Sequence, residues 1–330
     1  MSLTFVRQDI TKMKVDAIVN AANTQLMSGG GVCGAIFKAA GPIELNEACR
    51  ILAPIKVGEA VITSGFNLPS KHIIHTPGPI YEDGNHEEKQ LLSLCYKNSL
   101  DLALNSKCES IAFPLISSGI YGYPKDETLQ IAIESITDFL KTNELDVYLV
   151  IYDKDALKLS ISLLGDIESY IDDHYVEENS EFEVRYLNIE MVENSRPIGF
   201  FEPTEKKNNS IDDLIKDLDE PFSVALLRLI DAKGLSDVEV YKNANLDRKL
   251  FSKIRSSNGY TPSKRTAIAL AIALELSLSE AEDLLKKAGY ALSHSSKFDL
   301  VVKYFIKEKK YNIQEINSVL FSYDLPLLGS

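Results

Sequence analysis

Through the first half of the chain, short apolar runs alternate with longer amphipathic stretches, and beyond residue 221 only helical periodicity remains. Val15, Ala17, Ile18 and Val19 make a run too short for a helix and read as a buried strand. Residues 32–40 put Ala35, Ile36 and Ala39 on one face and read as a helix. Further strands are predicted over residues 110–115 and 147–152, and further helices over 89–105 and 125–141. Alternation of this kind up to residue 172 predicts an α/β domain with helices on both faces of a parallel or mixed sheet.

The last third follows different rules. Val224, Leu226, Leu227, Leu229 and Ile230 fill one helix, which Gly234 ends. Ser236 caps the next, with Glu239 completing a capping box, and that helix stops near Asn243-Ala244-Asn245. Asp247 precedes a helix over 248–255, Pro262-Ser263 opens one over 264–276, and Ser279 caps one that ends at Gly289. Residues 297–328 read as further helix packed on these. Residues 166–220 are rich in acids and read as a solvated linker or helix face. Within them residues 182–187 alternate like a strand, and 205–210 look like a hinge. A chain of 330 residues is long for one small α/β domain. The expected division is residues 1–172, an acidic linker over 173–220, and a helical domain over 221–330.

Composition narrows the class. The four cysteines lack CxxC spacing, which fits a reducing compartment better than a disulfide or zinc framework, so no metal and no cofactor is expected. The N-terminus shows no secretory pattern, and the longest apolar run, residues 267–274, is too short to span a bilayer. The expectation is a soluble cytoplasmic protein. A net charge of −13 argues against bulk nucleic-acid binding. Residues 241–265 nevertheless carry seven basic residues against one acid. There Arg248, Lys249, Lys253 and Arg255 lie on one predicted helix, suited either to DNA or RNA or, if merely solvated, to a protein-interaction module.

The chemistry concentrates in residues 15–41. Between the first strand and helix lie Asn20, Asn23 and the run Gly29-Gly30-Gly31 before Val32. A glycine loop feeding a helix N-terminus leaves N–H groups free and suits a phosphate. The segment is neither a P-loop nor a GxGxxG fingerprint. It resembles the first ligand loop of the macrodomain family, whose members bind ADP-ribose. Residues 113–124, FPLISSGIYGYP, resemble that family's second loop. Residues 56–63, 72–79 and 147–153 resemble its strands. The order of helices after Pro221, with Gly234-Leu235-Ser236 before the paired helices, is similar to phage-repressor helix-turn-helix domains.

The macrodomain resemblance implies a three-layer α/β/α sandwich with about six strands. It implies that Asp9 and Ile10 recognise adenine and that Tyr152 stacks on it. Ser117, Ser118, Gly119, Ile120 and Tyr121 would wrap the pyrophosphate, with Asn23 holding the distal ribose and Asn20 either joining it or satisfying backbone groups of the loop. Asn23 would then be the catalytic residue of a mono-ADP-ribosyl or ADP-ribose-ester hydrolase. The best-known hydrolases of the family carry an aspartate where this chain has Cys33, and a histidine where it has Phe37. Their absence favours the alternative, a non-catalytic reader of ADP-ribose coupled to transcription or assembly. Cys33 itself is expected to fill space rather than act as a nucleophile. His72 and His75, on an apolar strand, are expected in the core or at a strand end.

Overall fold

The computed structural model describes residues 2–84, 87–151, 166–171, 220–256 and 260–329. Tyr152, most of the acidic linker, the expected strand at 182–187 and the hinge at 205–210 lie outside the described residues.

Six strands form one sheet: β1 (Leu3–Val6), β2 (Ala17–Ala22), β3 (Val61–Ser64), β4 (His72–Pro77), β5 (Ser110–Pro114) and β6 (Asp146–Val150), in the order β1-β6-β5-β2-β4-β3. Neighbours run parallel except β3 and β4, which are antiparallel. Strand β2 is buried on both faces, and its alternation sorts the layers. Ala17 and Val19 join one core with Leu92 and Tyr96 of α3 (Glu88–Asn105) and Ile136 of α4 (Lys125–Thr142). Ile18 and Ala22 join another with Ile36 and Phe37 of α1 (Gly31–Ala40) and Leu45 of α2 (Pro42–Leu52). This is the three-layer α/β/α sandwich.

Adjacent strands β2 and β5 lead away to opposite sides of the sheet, which makes their boundary the switch point where α/β folds open a crevice. Their ladder pairs Ala17 with Ile111 and Ile18 with Ala112, at the amino ends only. Their carboxyl ends splay apart, and the two glycine loops leave from those ends.

The described residues from 220 onward are helical: α5 (Phe222–Lys233), α6 (Asp237–Asn243), α7 (Arg248–Ser256), α8 (Lys264–Ala273), α9 (Leu278–Lys287), α10 (Lys297–Lys307) and α11 (Ile313–Ser322). Leu226, Val240, Leu270, Leu284, Phe305 and Leu320 share one core. Gly234 ends α5 at φ 66°, and Ser236 with Glu239 forms the expected box. Two expectations are corrected. The cap of α9 is Ser277 in a box with Glu280, not Ser279. Residues 297–328 are two helices rather than one: the chain turns at Lys309 (φ 54°), and Asn312 caps α11 by accepting from the N–H groups of Gln314 and Glu315. Ile167 belongs to this helical core, and the Tyr170 and Tyr304 rings lie 5.4 Å apart.

The helical region seats on the sheet's edge strand. The side chain of Asn245 accepts from the Leu3 N–H at 2.9 Å and donates to the Leu3 carbonyl at 3.0 Å. Phe321 enters the sheet's own core, 6.0 Å from the Phe5 ring, and Arg7 pairs with Asp324. An edge strand that would otherwise offer free N–H and C=O groups is thus covered.

Candidate functional site

The cleft is built on loops at the carboxyl ends of β2 and β5. After β2, Asn23 folds its own loop: Oδ1 accepts from the N–H groups of Gln25 and Met27, each at 3.1 Å, and Nδ2 donates to the Met27 carbonyl at 2.8 Å. One Nδ2 hydrogen stays available. The chain then returns over α1, so that a Cβ on Gly34 would stand 2.4 Å from the Gly29 carbonyl oxygen. Gly31 enters the helix at φ 60°, and a Cβ on Gly30 would meet nothing. The first-turn N–H groups of α1 therefore face open space.

The second loop supplies the opposite wall. Ser117 sits at φ 67°, a left-handed conformation uncommon for serine, and its buried Oγ has no partner among the described residues. Gly122 turns the loop at φ 71°. Gly78, just after β4, allows the close approach of this loop across the end of β2, since its Cβ would lie 2.2 Å from Ser117 Oγ. The Tyr81 N–H donates to the Tyr121 carbonyl at 2.9 Å, tying the loop down.

Three connected spaces run between these walls. The central one, 170 Å³, is lined by Asn23, Gly29, Gly30, Gly31, Val32, Cys33, Gly78, Ser117, Gly119, Ile120 and Tyr121, with Ala21, Ala22 and Leu115. One end opens into 530 Å³ bounded by Asp9, Ile10, Val32, Ser118, Gly119, Lys125, Val150 and Ile151. The other opens, past Asn23 and Tyr121, into 440 Å³ reaching Glu82 and Glu88. Among the described residues no carboxylate or ammonium lines the central space. An anion held there would meet backbone N–H groups and the α1 dipole.

Most of the residues anticipated from sequence thus gather on one cleft. Asp9 does so with one oxygen occupied, its Oδ1 taking the Thr11 N–H at 3.0 Å and hydroxyl at 2.7 Å. Asn20 does not line these spaces. It is wholly enclosed beneath the cleft, with Nδ2 3.1 Å from His75 Nδ1, because it shares the inward face of β2 with Ile18 and Ala22. Gly78, Leu115, Lys125 and Val150 were missed. Gly78, Leu115 and Val150 lie within the segments that resemble the family but were given no role, and only Lys125 carried no local signal.

Cys33 and Phe37 bring no base. Burial pushes the Cys33 thiol up, so it stays protonated near neutrality, and Phe37 is packed in the α1 core. Burial likewise raises the Tyr121 phenol, leaving it a hydrogen-bond donor. His75 is wholly buried, its Nε2 2.9 Å from Thr63 Oγ1.

On α7, Phe251 and Ile254 turn inward while Arg248, Lys249, Lys253 and Arg255 are exposed. Arg255 pairs with Asp237, and the Lys253 ammonium lies 4.7 Å from the Tyr260 ring centre. Lys242 and Lys264 are committed inside the protein, to the carbonyls of Leu140 and Lys141 and to Asp299. Among the described residues no helix is long and apolar enough to cross a membrane.

A family model described as Macro domain matches residues 19–132, which include both loops. A macro domain-containing protein of Methanosarcina mazei is 53% identical over 152 residues, 46% of this chain and 81% of that protein. An O-acetyl-ADP-ribose deacetylase of Citrobacter rodentium is 49% identical over 165 residues, 48% of this chain and 93% of its own length. An Oceanobacillus iheyensis macrodomain solved with ADP is 45% identical, with a TM-score of 0.45, covering 46% of this chain and 84% of that one. With the glycine loops on one cleft, and relatives at this identity matched over four-fifths or more of their length, the chain belongs to the macro domain family.

Proposed function

We propose that the cleft binds ADP-ribose and that the protein hydrolyses an ester carried on the distal ribose. One observation carries the reading: a neutral central space, walled by two glycine loops, joins a pocket at Asp9 to one at Asn23 and Tyr121. Adenine then lies against Ile10 with the Asp9 carboxylate accepting from its amine, and the pyrophosphate takes N–H groups from α1 and from Gly119, Ile120 and Tyr121. The free Nδ2 hydrogen of Asn23 and the Tyr121 hydroxyl hold the ribose. Relatives named O-acetyl-ADP-ribose deacetylase support the ester as substrate. Mono-ADP-ribose on protein carboxylates is the same chemistry with a larger acyl group.

In this reading water adds to the acyl carbon and the bond from that carbon to the ribose oxygen breaks. A pyrophosphate oxygen of the ligand takes a proton from the water as it adds, that proton passes to the ribose oxygen as the bond breaks, and the acid leaves. The protein contributes positioning and N–H donors rather than a base. Calorimetry of the full chain with ADP-ribose, beside product analysis on O-acetyl-ADP-ribose, tests it. Micromolar binding, about −8 kcal/mol, is expected. No heat at millimolar ligand overturns the reading. Binding without turnover leaves a reader, the alternative that the protonated Cys33 and the buried Phe37 favour.

For the helical region we propose DNA or RNA contact through α7 in the manner of a helix-turn-helix domain. Exposed Arg248, Lys249 and Lys253 support this.

A further inference from the structure

Strand β1 runs straight into the Asp9 end of the cleft. Its ladder with β6 ends where Val6 pairs with Val150, and the next residues, Gln8, Asp9 and Ile10, line the 530 Å³ space. Arg7 is the link between the two. Beyond Val6 the ladder gives way to contacts from the helical region. Phe5 and Arg7, two residues apart and so on one face of the strand, both meet Phe321 at the end of α11. The Phe5 ring lies 6.0 Å from that ring, and Arg7 Cζ lies 5.0 Å from its centre. The same guanidinium pairs with Asp324 in the turn that follows α11, where it also faces the negative end of the helix. At the other end of β1, Asn245 takes both backbone groups of Leu3, and Lys242 donates to the carbonyls of Leu140 and Lys141 just before β6. The Arg7 and Asp324 side chains are 30% and 53% exposed, so their pairing adds little to global stability. What it fixes is local: the exit of β1, two residues before Asp9.

We infer that Arg7, seated on Phe321 and Asp324, is a positioning residue for base recognition, and that the helical region is thereby part of the adenine site. The inference rests on the ADP-ribose reading of the cleft. Arg7 touches no ligand. It sets the direction in which the chain leaves β1, so that the Asp9 carboxylate faces the adenine amine while Ile10 lies against the ring. Without that anchor, Asp9 keeps its own turn through Thr11 but loses its fixed place relative to Val150 and Ile151 across the pocket.

The test is calorimetry of the full chain with two ligands, ADP-ribose and its hypoxanthine analogue, in which a carbonyl oxygen replaces the exocyclic amine. The native chain should prefer ADP-ribose by about tenfold or more, as expected for a hydrogen bond to a carboxylate. Arg7→Ala should weaken ADP-ribose by about three- to tenfold, the usual range for a residue that acts through its neighbours, and leave the analogue's affinity as it is. The preference for adenine therefore shrinks, a change that a general loss of stability would not produce. Arg7→Lys keeps a cation over the Phe321 ring and opposite Asp324 and should restore most of the preference. Phe321→Leu keeps the core filled but removes the ring face, and should act like Arg7→Ala. An unchanged preference in Arg7→Ala, or an equal loss for both ligands, overturns this inference and leaves the cleft assignment standing. So does a native chain that binds both ligands equally well. Failure of ADP-ribose itself to bind overturns both.

Discussion

Asn20 Nδ2 lies 3.1 Å from His75 Nδ1, and the other ring nitrogen lies 2.9 Å from Thr63 Oγ1, so an amide and a hydroxyl clamp the imidazole beneath the cleft. Burial holds its pKa down at about 4, against 6.5 for a free histidine. The ring is therefore neutral in the folded protein, accepting from Asn20 at Nδ1 and donating to Thr63 from Nε2.

The sign of the pH effect follows. Between pH 6.5 and about 4 the unfolded chain binds a proton at this histidine and the folded chain does not. Its contribution to stability is full above pH 6.5 and is lost as pH falls through that window, about 3 kcal/mol in all. Urea unfolding followed by circular dichroism should show stability falling over this range. His75→Gln should be less stable at pH 7.5 and show a shallower fall. An equal slope in both proteins would place the titration elsewhere.

Gly34→Ala tests the first loop. Its Cβ would stand 2.4 Å from the Gly29 carbonyl, a backbone atom that cannot rotate away. The loop must lift off α1, at a cost of about 1–3 kcal/mol as for other overpacked sites. ADP-ribose affinity should fall about tenfold or more, since the N–H groups of residues 29–31 move together. Gly30→Ala, whose Cβ meets no protein atom, should instead leave stability intact and weaken binding only by filling the cleft.

Asn23 and Cys33 separate the roles in catalysis. Asn23→Ala removes three loop hydrogen bonds together with the ribose donor, so turnover of O-acetyl-ADP-ribose should be lost with a measurable drop in thermal stability. Cys33→Ala should retain most activity, because a thiol raised by burial is no nucleophile at pH 7. Complete loss in Cys33→Ala with ADP-ribose still bound would make the sulfur a participant. Cys33→Asp places a carboxylate at the cleft wall and should raise the rate by about a hundredfold if a positioned base is what the site lacks.

What the sequence revealed depended on how local the physics was. Strand β2, the glycine run and the FPLISSGIYGYP loop announce themselves through contiguous residues. The role of Asn20 did not, because its partners Thr63 and His75 come from two other strands, although alternation along β2 puts it on the same face as Ile18. Ser277 and Ser279 are each followed by a glutamate three residues on, so the local pattern fits both caps; the turn at Glu275, φ 49°, settles it for Ser277. Nothing near Leu3 foretells Asn245, which lies 242 residues away.

Charge on α7 yields a prediction about partners. Arg248, Lys249 and Lys253 are exposed, whereas Arg255 is paired with Asp237. Reversing the first three to glutamate should abolish any nucleic-acid shift, while Arg255→Ala should act mainly through lost packing against α6. Native binding should weaken steeply with salt through counterion release. No shift at low salt and high protein concentration would favour a protein partner for this helix.

Asn245 offers the sharpest test of how the two halves depend on each other. Its side chain satisfies both polar groups of Leu3 on the edge strand, it is 4% exposed, and its backbone sits at φ 54°, a conformation asparagine tolerates better than alanine. Asn245→Ala leaves a buried N–H and a buried carbonyl unpaired and strains the turn, a loss of about 2–4 kcal/mol. Asn245→Asp keeps an acceptor for the Leu3 N–H but offers no donor to its carbonyl, so it should fall between. Gly in place of Asn245 separates the terms, relieving the backbone while losing both bonds. If Asn245→Gly is as stable as the native chain, the side-chain contact with Leu3 adds nothing to stability. If it matches Asn245→Ala, the two hydrogen bonds carry the docking, and amide exchange at Leu3 and Phe5 should speed up in both variants.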